Sequence, residues 1–501
     1  DDNCKDDGEF HGTESEHHLP PAAVRSFGTG GSAEMVPPAR LRVKATCLPL
    51  RSTELAVFKA YDIRGTVPDQ LNAELAYGIG RATAAFIAAD SLVVGRDARA
   101  HSPELSEALI RGINDEGVSV LDLGLVATPM LYYAVGELDA GGGVMVTASH
   151  NPADYNGFKI CRELAIPIGE DSGLRNIEAL TGARVGEPPS ARRGTVEARD
   201  IRDGYVDHVL SVGNGRGRFK VAMDCGNGMA GVGLEPLLER LQLEVEPLYF
   251  EPDGTFPNHE ADPLKLENLS DVVDAVKRVG ADFGVAFDGD GDRAVFVDEN
   301  GRPVASDLMT AVMARRQLAR QPGGLVLYDL RSSRVVAEEV ERAGGVADLC
   351  RVGHSFVKAQ MRETGAIFAG ELSGHTYFRF ESGLVADDAI AALVALLDVL
   401  TAEEKPLSEI VDPLRRYSAS GEINRSVSDT TAVIDAIEGE HTAAPTLSRL
   451  DGLLVRYEDW WFNLRPSNTE PVLRLNLEAD TEEKMVEERD RILSRVEALG
   501  A

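Results

Sequence analysis

Cysteine is scarce in this 501-residue chain: Cys4, Cys47, Cys161, Cys225 and Cys350 are odd in number, widely spaced and form no C-x-x-C pair. They supply no disulfide framework and predict reduced thiols in a cytoplasmic protein. Long apolar runs are also missing. The longest, Ala389 to Leu400, carries Asp398 and falls short of the ~20 residues needed to cross a bilayer, so no membrane segment is expected. Positive charge is in deficit, with 51 basic against 82 acidic residues and a net charge of −31. That balance argues against nucleic acid or an anionic membrane as partner, and an anionic substrate has to be held by local cations. Lysine is sparse beside arginine, and the acidic residues are spread along the whole chain, a pattern that suggests adaptation to salt, although a GC-rich genome also favours arginine. No G-x-S-x-G elbow occurs, which speaks against a hydrolase triad.

What is present is ample apolar content, 43%, enough for the cores of three or four domains. Residues 1–51 show little periodicity and are expected to form a disordered extension. Order begins near Ala56 with a strand running into Arg64-Gly65. A helix follows over 72–89, with Leu75, Ile79, Ala82 and Phe86 at helical spacing. Ser102 is expected to cap a helix with Pro103 at its first position and Leu105, Ala108, Leu109 and Gly112 on its inner face, and Thr128-Pro129 to open another. The alternation of strand and helix predicts α/β domains. One phrase recurs, an apolar strand, an aspartate and a small polar turn: LVVGRD with Asp97, KVAMDCGNGMAG with Asp224 and LVLYDLRSSR with Asp329. We therefore expect three related α/β domains at 52–198, 199–301 and 302–413. Short strands near Ile423, Leu453 and Val472 and a helix over 481–499 predict a smaller α+β domain at 414–501.

The central stretch is GGGVMVTASHNPADYNGFKI, Gly141 to Ile160. It lifts Ser149 off a strand end with Asn151, Asn156 and Lys159 nearby, where open α/β folds keep their sites; an ordinary capped strand-to-loop junction is the competing reading. His150, adjacent in an extended chain, is expected to point away from Ser149. The sharpest local signal is Asp288-Gly289-Asp290-Gly291-Asp292-Arg293. Glycines permit the backbone that turns three carboxylates toward one point, and hard oxygen ligands of that kind suit Mg²⁺. An EF-hand competes, with Glu299 at its twelfth position, but Arg293 stands where that loop needs glycine; a solvated acidic turn is the third reading. Glu371-Leu372-Ser373-Gly374-His375 offers acceptors and donors for sugar hydroxyls, and taken alone fits a polar turn equally well. Gly353-His354-Ser355 either caps a helix or contacts a ligand. Arg465-Pro466-Ser467-Asn468-Thr469-Glu470-Pro471 combines an arginine fork with an anion nest. Together the serine loop, the aspartate triplet, the Glu371 loop and the arginine turn describe phosphoryl transfer on a phosphorylated polyol.

From about Phe58 to its end the chain resembles the α-D-phosphohexomutases, in the phosphomannomutase/phosphoglucomutase branch, through TASHNP, DGDGDR, GELSGH and RPSNTEP in the same order. The resemblance implies three mixed-sheet α/β domains and a smaller α+β domain around a central cleft, in a monomer or homodimer. It implies that Ser149 is a phosphoserine, that Asp288, Asp290 and Asp292 hold one Mg²⁺ against its phosphoryl group, and that Glu371 and Ser373 bind sugar hydroxyls. Arg465, Ser467, Asn468 and Thr469 would grip the phosphate not being transferred. Tyr61, Arg64, His150, Lys159, Arg293, Arg331, His354 and His375 would line the same cleft, Lys159 as general acid or base. The implied reaction moves a phosphoryl group between O1 and O6 of mannose or glucose phosphates through hexose 1,6-bisphosphate, which is also the activator. Arg331 stands where several bacterial members carry lysine, and it holds its proton too firmly to be a base. Glucosamine mutases usually carry Gln where this chain has Leu372; that activity and a noncatalytic sugar-phosphate sensor are the alternatives.

Overall fold

The computed structural model describes residues 56–184, 187–213, 215–467 and 472–500. The extension expected over 1–51, Cys4 and Cys47, and Asn468 and Thr469 of the last loop lie outside the described residues. Four sheets follow one another along the chain. The first runs Ile63–Thr66, Tyr155–Arg162, Gly142–Val146, Ser91–Arg96, Ser119–Leu125 and Val196–Ala198. Its Gly142, Ser91, Ser119 and Val196 strands are parallel, and the two on the other side are antiparallel. The second orders Ala294–Asp298, Phe283–Phe287, Phe219–Asp224 and Leu243–Leu248, the third Val346–Cys350, Leu325–Asp329, Phe368–Gly370, Thr376–Arg379 and Val385–Asp387. Both are mixed. The fourth is antiparallel and packs against Thr430–Glu440 and Glu482–Gly500, so the α+β tail is present.

All three recurring aspartates end or immediately follow a parallel strand, and each carboxylate accepts the backbone N–H two residues on. The distances are 3.1 Å from Arg99 to Asp97, 2.8 Å from Gly226 to Asp224 and 2.8 Å from Arg331 to Asp329. Asp and a small turn are thus a local device that bends the chain off the sheet edge, and it places the following loops on the carboxyl side of the strands.

The helix expected over 72–89 is Ala73–Ile87, capped by the Asn72 side chain, which accepts from Leu75 N. The next begins at Ser102 itself, and the expected cap is absent: the Ser102 hydroxyl donates to Asp97 Oδ1 instead, at 2.5 Å. These two helices cross through glycines. A Cβ on Gly80 would lie 2.2 Å from the Leu109 carbonyl oxygen, and one on Gly112 2.2 Å from that of Tyr77. The apolar run from Ala389 is the helix Ala389–Glu403, buried on all sides up to Leu400. A helix apolar all round needs neighbours all round, and it packs against Arg202–Leu210, Ser306–Arg320 and Ala230–Leu238. Its one buried charge, Asp398, pairs with Arg316 at 2.6 Å. Among the described residues no helix is long and apolar enough to cross a membrane, and Cys161, Cys225 and Cys350 are buried free thiols.

Gly112→Ala tests the helix crossing. Propensity alone would gain up to about 1 kcal/mol, but the new methyl meets rigid backbone and overpacking of that kind costs about 1–3 kcal/mol. A lowered melting temperature is expected in thermal unfolding, and a raised one would refute the close crossing. A second test uses pH. Burial pushes the Asp388 carboxyl up to about 7 although it caps the long helix, accepting from Ala391 N at 2.8 Å and from the Tyr205 hydroxyl at 2.9 Å. A folded-state value above the ordinary 3.8 means its contribution to stability is complete below that ordinary value and is lost as pH rises through the folded one. Asp388→Asn keeps a capping oxygen and cannot ionise, so its melting temperature should gain on the wild type steadily between about pH 4 and 7. A pH-independent difference would contradict the shift.

Candidate functional site

Ser149 and the aspartate loop meet. Ser149 follows Gly142–Val146, is buried, and takes φ +52°, a left-handed conformation that a non-glycine residue holds only when its surroundings demand it. Its N–H donates to Thr147 Oγ1 at 2.9 Å and its Oγ to Asp288 Oδ2 at 2.9 Å. The left-handed turn corrects the expectation for His150: the chain is not extended here, and His150 Nδ1 comes back to 3.1 Å from Ser149 Oγ. Burial, then Arg293 and Arg64, hold the His150 ring well below its ordinary pKa. Arg64 reaches the same loop through Asn151 Oδ1 at 2.5 Å and pairs with its neighbour Asp62 at 2.7 Å.

The aspartates sit in a β-hairpin, Phe283–Phe287 with Ala294–Asp298, which removes the EF-hand reading. Glu299, its would-be twelfth ligand, accepts from Ser408 N at 3.1 Å instead. Asp288 Oδ1 accepts the backbone N–H groups of Gly291, Asp292 and Arg293 at 3.0, 3.1 and 3.2 Å, so the loop closes on its own first carboxylate. A Cβ on Gly289 would lie 2.4 Å from the Ser149 carbonyl oxygen; glycine there lets the two loops touch. Burial and the neighbouring Asp292 and Asp290 push the Asp288 carboxyl well up. Burial acts on Asp292 too, but Lys159 and His375 outweigh it and hold that carboxyl well down.

Lys159 bridges Asp290 Oδ2 at 2.6 Å and Asp292 Oδ2 at 2.5 Å, and is almost fully buried. Arg293 Nε lies 3.9 Å from Asp288 and 3.3 Å from His375 Nε2. One oxygen from each of Asp288, Asp290 and Asp292 can serve one metal ion, all lying within 4.8 Å of one another. Buried Asp290 Oδ1 and Asp292 Oδ1 accept no hydrogen bond among the described residues, the second having His375 Nε2 at 3.4 Å and Arg293 Nε at 4.0 Å. Buried carboxylate oxygens left in that state suit a cation.

The third domain closes the cluster. Glu371 Oε1 accepts from Gly353 N at 2.8 Å, and Oε2 accepts from the Tyr377 hydroxyl. Despite burial, His375 and Arg331 hold Glu371 at about 2. His375 has Nδ1 2.9 Å from Ser373 Oγ, and although burial and Arg293 oppose it, Asp292 and Glu371 raise it to about 9. His354 opens the helix His354–Thr364 and stacks on His375 at 6.2 Å; burial and Lys358 keep it well below its ordinary range. Tyr61 from the first domain meets Phe356 edge-on at 5.6 Å.

Arg331 and Arg465 form a second group around Glu422. Arg465 Nη2 is 3.1 Å and Arg331 Nη1 3.7 Å from Glu422 Oε2, while Arg474 Nη1 is 3.1 Å from Oε1 and its Nη2 3.2 Å from Ser467 Oγ. Arg331 also pairs with Asp329 at 2.6 Å, and its guanidinium is held firmly protonated by that carboxylate against the cost of burial.

Sequence reasoning missed several contributors. Thr128 donates to Asp290 Oδ2 at 2.6 Å, Arg99 underlies the serine loop, and Glu422, Arg474 and Tyr377 join as described. The only local signal was at Thr128-Pro129, read as a helix start; the helix Thr128–Glu137 does start there, with the hydroxyl committed elsewhere.

The chain matches four consecutive family descriptions: phosphoglucomutase/phosphomannomutase alpha/beta/alpha domain I over 55–184, domain II over 203–301, domain III over 305–417 and the C-terminal domain over 422–495. It is 40% identical over 449 residues to a Xanthomonas campestris protein named "Phosphohexose mutases", covering 88% of this chain and 99% of that one. It is 39% identical over 455 residues to the phosphomannomutase of Escherichia coli, covering 88% and 98%. A crystal structure of a phosphoglucomutase/phosphomannomutase family protein from Burkholderia thailandensis superposes with a TM-score of 0.82 at 34% identity, over 89% of this chain and 98% of that one. With every domain matched in order and the relatives covered almost end to end, the chain belongs to the phosphoglucomutase/phosphomannomutase family of phosphohexose mutases.

Proposed function

We propose that this mutase interconverts the 1- and 6-phosphates of mannose and glucose by way of a phosphoryl group carried on Ser149, with hexose 1,6-bisphosphate as intermediate. The observation that carries the reading is the 2.9 Å approach of Ser149 Oγ to Asp288 inside a buried carboxylate cluster. A lone serine hydroxyl is a weak nucleophile and a poor leaving group, and needs charge arranged around it. Asp288, Asp290 and Asp292 would hold Mg²⁺, which when bound draws charge from the phosphoryl oxygens.

The residues of the chain then divide the work. Lys159 and Arg293 bring cations to the same point, countering the charge spread over a loose phosphoryl transition state. His150, 3.1 Å from Ser149 Oγ, is placed to exchange a proton with it as the ester forms or breaks. Glu371 and Ser373 would orient the sugar through its hydroxyls. Arg331, Arg465 and Arg474, with Ser467, Asn468 and Thr469, would hold the phosphate that is not transferred. In support, Arg331, Arg465 and Arg474 each keep a buried Nε–H without a hydrogen-bond partner among the described residues. Leu372 gives its N–H to Asp329 at 2.9 Å and presents no side-chain amide to a substituted sugar, which favours plain hexoses over glucosamine phosphate.

Ser149→Ala should abolish turnover in a coupled assay of mannose 1-phosphate and glucose 1-phosphate with Mg²⁺ and a trace of hexose 1,6-bisphosphate, by about 10³-fold or more. It should also remove the phosphoryl increment that mass spectrometry finds on the wild-type Ser149 peptide; wild-type turnover abolished in the variant removes the sensor reading, and turnover by the variant would end the phosphoserine mechanism. For the metal, millimolar Mg²⁺ should raise the wild-type melting temperature and restore activity after chelation, whereas Asp290→Asn should respond to neither. A wild type indifferent to chelation would remove the metal role of the triplet.

A further inference from the structure

We infer that Arg99 is a positioning residue for Ser149, fixing the carbonyl groups of the serine loop and through them the direction of the reacting hydroxyl. This rests on the phosphoserine reading above. The Arg99 side chain is fully buried and its fork is spent almost wholly on one loop. Nη2 donates to the carbonyls of Ser149 at 2.8 Å and Asn151 at 2.6 Å, and Nη1 to those of Pro152 at 2.5 Å and Tyr155 at 3.1 Å. Nε pairs with Asp97 Oδ2 at 3.1 Å, the only carboxylate among the described residues with which it forms an ion pair. A guanidinium taken out of water is costly unless each N–H is used. Here four carbonyls between Ser149 and Tyr155 supply most of what it needs.

The bond to the Ser149 carbonyl matters most. That oxygen belongs to the peptide following the left-handed residue, and its other side faces Gly289 of the aspartate loop. Held between Arg99 and Gly289, the peptide plane cannot rotate without clashing or losing a charged hydrogen bond, and Oγ stays aimed at Asp288. The second domain also covers the guanidinium. The Phe256 ring lies 5.0 Å from it, and Gly254 packs so closely that a Cβ there would be 2.2 Å from Arg99 Cα. Arg99 therefore touches the serine loop directly and is held against it by the Gly254 and Phe256 segment of the second domain, while the aspartate loop meets the same Ser149 carbonyl through Gly289.

The third domain supplies an internal comparison. Arg331 occupies the same place after its aspartate, with N–H to Oδ1 at 2.8 Å and Nη2 to Oδ2 at 2.6 Å, yet its remaining Nη faces Glu422 and not a loop of carbonyls. One local motif thus serves two ends, and only the first-domain copy props a reactive serine. Lysine cannot replace Arg99, because a tetrahedral ammonium with three donors cannot span four carbonyls and a carboxylate.

The experiment compares full-length wild type with Arg99→Lys. A misaimed hydroxyl should lower kcat by about 10- to 100-fold, leave KM within about threefold, and slow single-turnover phosphorylation of Ser149 by glucose 1,6-bisphosphate by the same factor as kcat. Amide exchange should quicken within 149–155 and remain unchanged in Gly142–Val146 and Phe219–Asp224. A kcat within about twofold of wild type, or a loss that simply follows faster exchange throughout the protein, overturns the inference. Should Arg99→Lys not fold, Phe256→Ala, which opens the guanidinium to water and leaves its hydrogen bonds possible, should show the same split with a smaller kcat loss; unchanged kcat there overturns it as well. A wild type that turns over normally while both variants do so too refutes only the role of Arg99, whereas an inactive wild type refutes the mutase reading and this inference with it.

Discussion

Three carboxylates buried in one six-residue loop repel one another, and at 4 Å each like-charged pair costs about 4 kcal/mol at the effective dielectric of a protein. The loop of Asp288, Asp290 and Asp292 can therefore exist only where cations are delivered to it, and the structure delivers them from different parts of the chain. Lys159 comes from the strand paired with the serine strand, Arg293 from the loop itself, and His375 from the third domain. Each cation is buried or nearly so and would be costly alone. The mutual need of the two sets welds the edges of the first three sheets to one point. It also explains how a chain of net charge −31 can be read as a handler of phosphates: screening cuts off the distant excess within about 10 Å, while these cations act at contact distance.

The repeated aspartate at the strand ends makes this convergence possible. In the first domain Asp97 anchors Arg99 and Ser102, in the second Asp224 receives His259 Nε2 at 3.0 Å, and in the third Asp329 takes Arg331 and the N–H of Leu372. In each case a buried carboxylate collects a donor from the turn that leaves the sheet, and in the second and third domains also one from a more distant loop. Buried carboxylates demand such satisfaction, so the turn is rigid because the charge inside it must be. The loops that follow are placed by that requirement and not by propensity, which gives irregular segments the fixed positions that a phosphoryl-transfer site needs.

Much of this was legible because the motifs are local. TASHNP, DGDGDR and GELSGH each hold within a few residues the groups that the fold then brings together, and the helices at 72–89 and after Ser102 follow from apolar spacing alone. What escaped depends on distant partners. Nothing near Glu422 or Arg474 announces a role, and near Arg99 only Asp97 does, because their other partners lie more than forty residues away or across a sheet. Ser102 looked like a cap, but Asp97 competes for its hydroxyl and wins. His150 was misjudged because alternation of side chains presumes extended backbone, and Ser149 is left-handed. The strand Trp460–Pro466 went unread because it is buried along nearly its whole length and lacks the polar alternation that betrays a strand.

The phosphate end obeys the same electrostatics with the signs reversed. Arg331, Arg465 and Arg474 crowd one carboxylate, Glu422, which is about a quarter exposed and held below its ordinary range because Arg465, Arg331 and Arg474 outweigh the cost of its burial. Two carboxylates, Glu422 and the Asp329 that Arg331 also holds, against three guanidiniums leave a positive surplus, and the Nε–H groups without a hydrogen-bond partner among the described residues show where it is unspent. On the proposed reading a phosphate dianion supplies the missing charge without expelling the glutamate. Such a site gains from any phosphate presented to it, whether borne on O1 or on O6 of the sugar, since an arginine fork reads charge and geometry of the ester oxygens and not the carbon behind them. Binding energy gathered there is indifferent to the orientation of the hexose. On that reading it would hold the bisphosphate in either sense while Ser149 would perform the same step on whichever oxygen arrives.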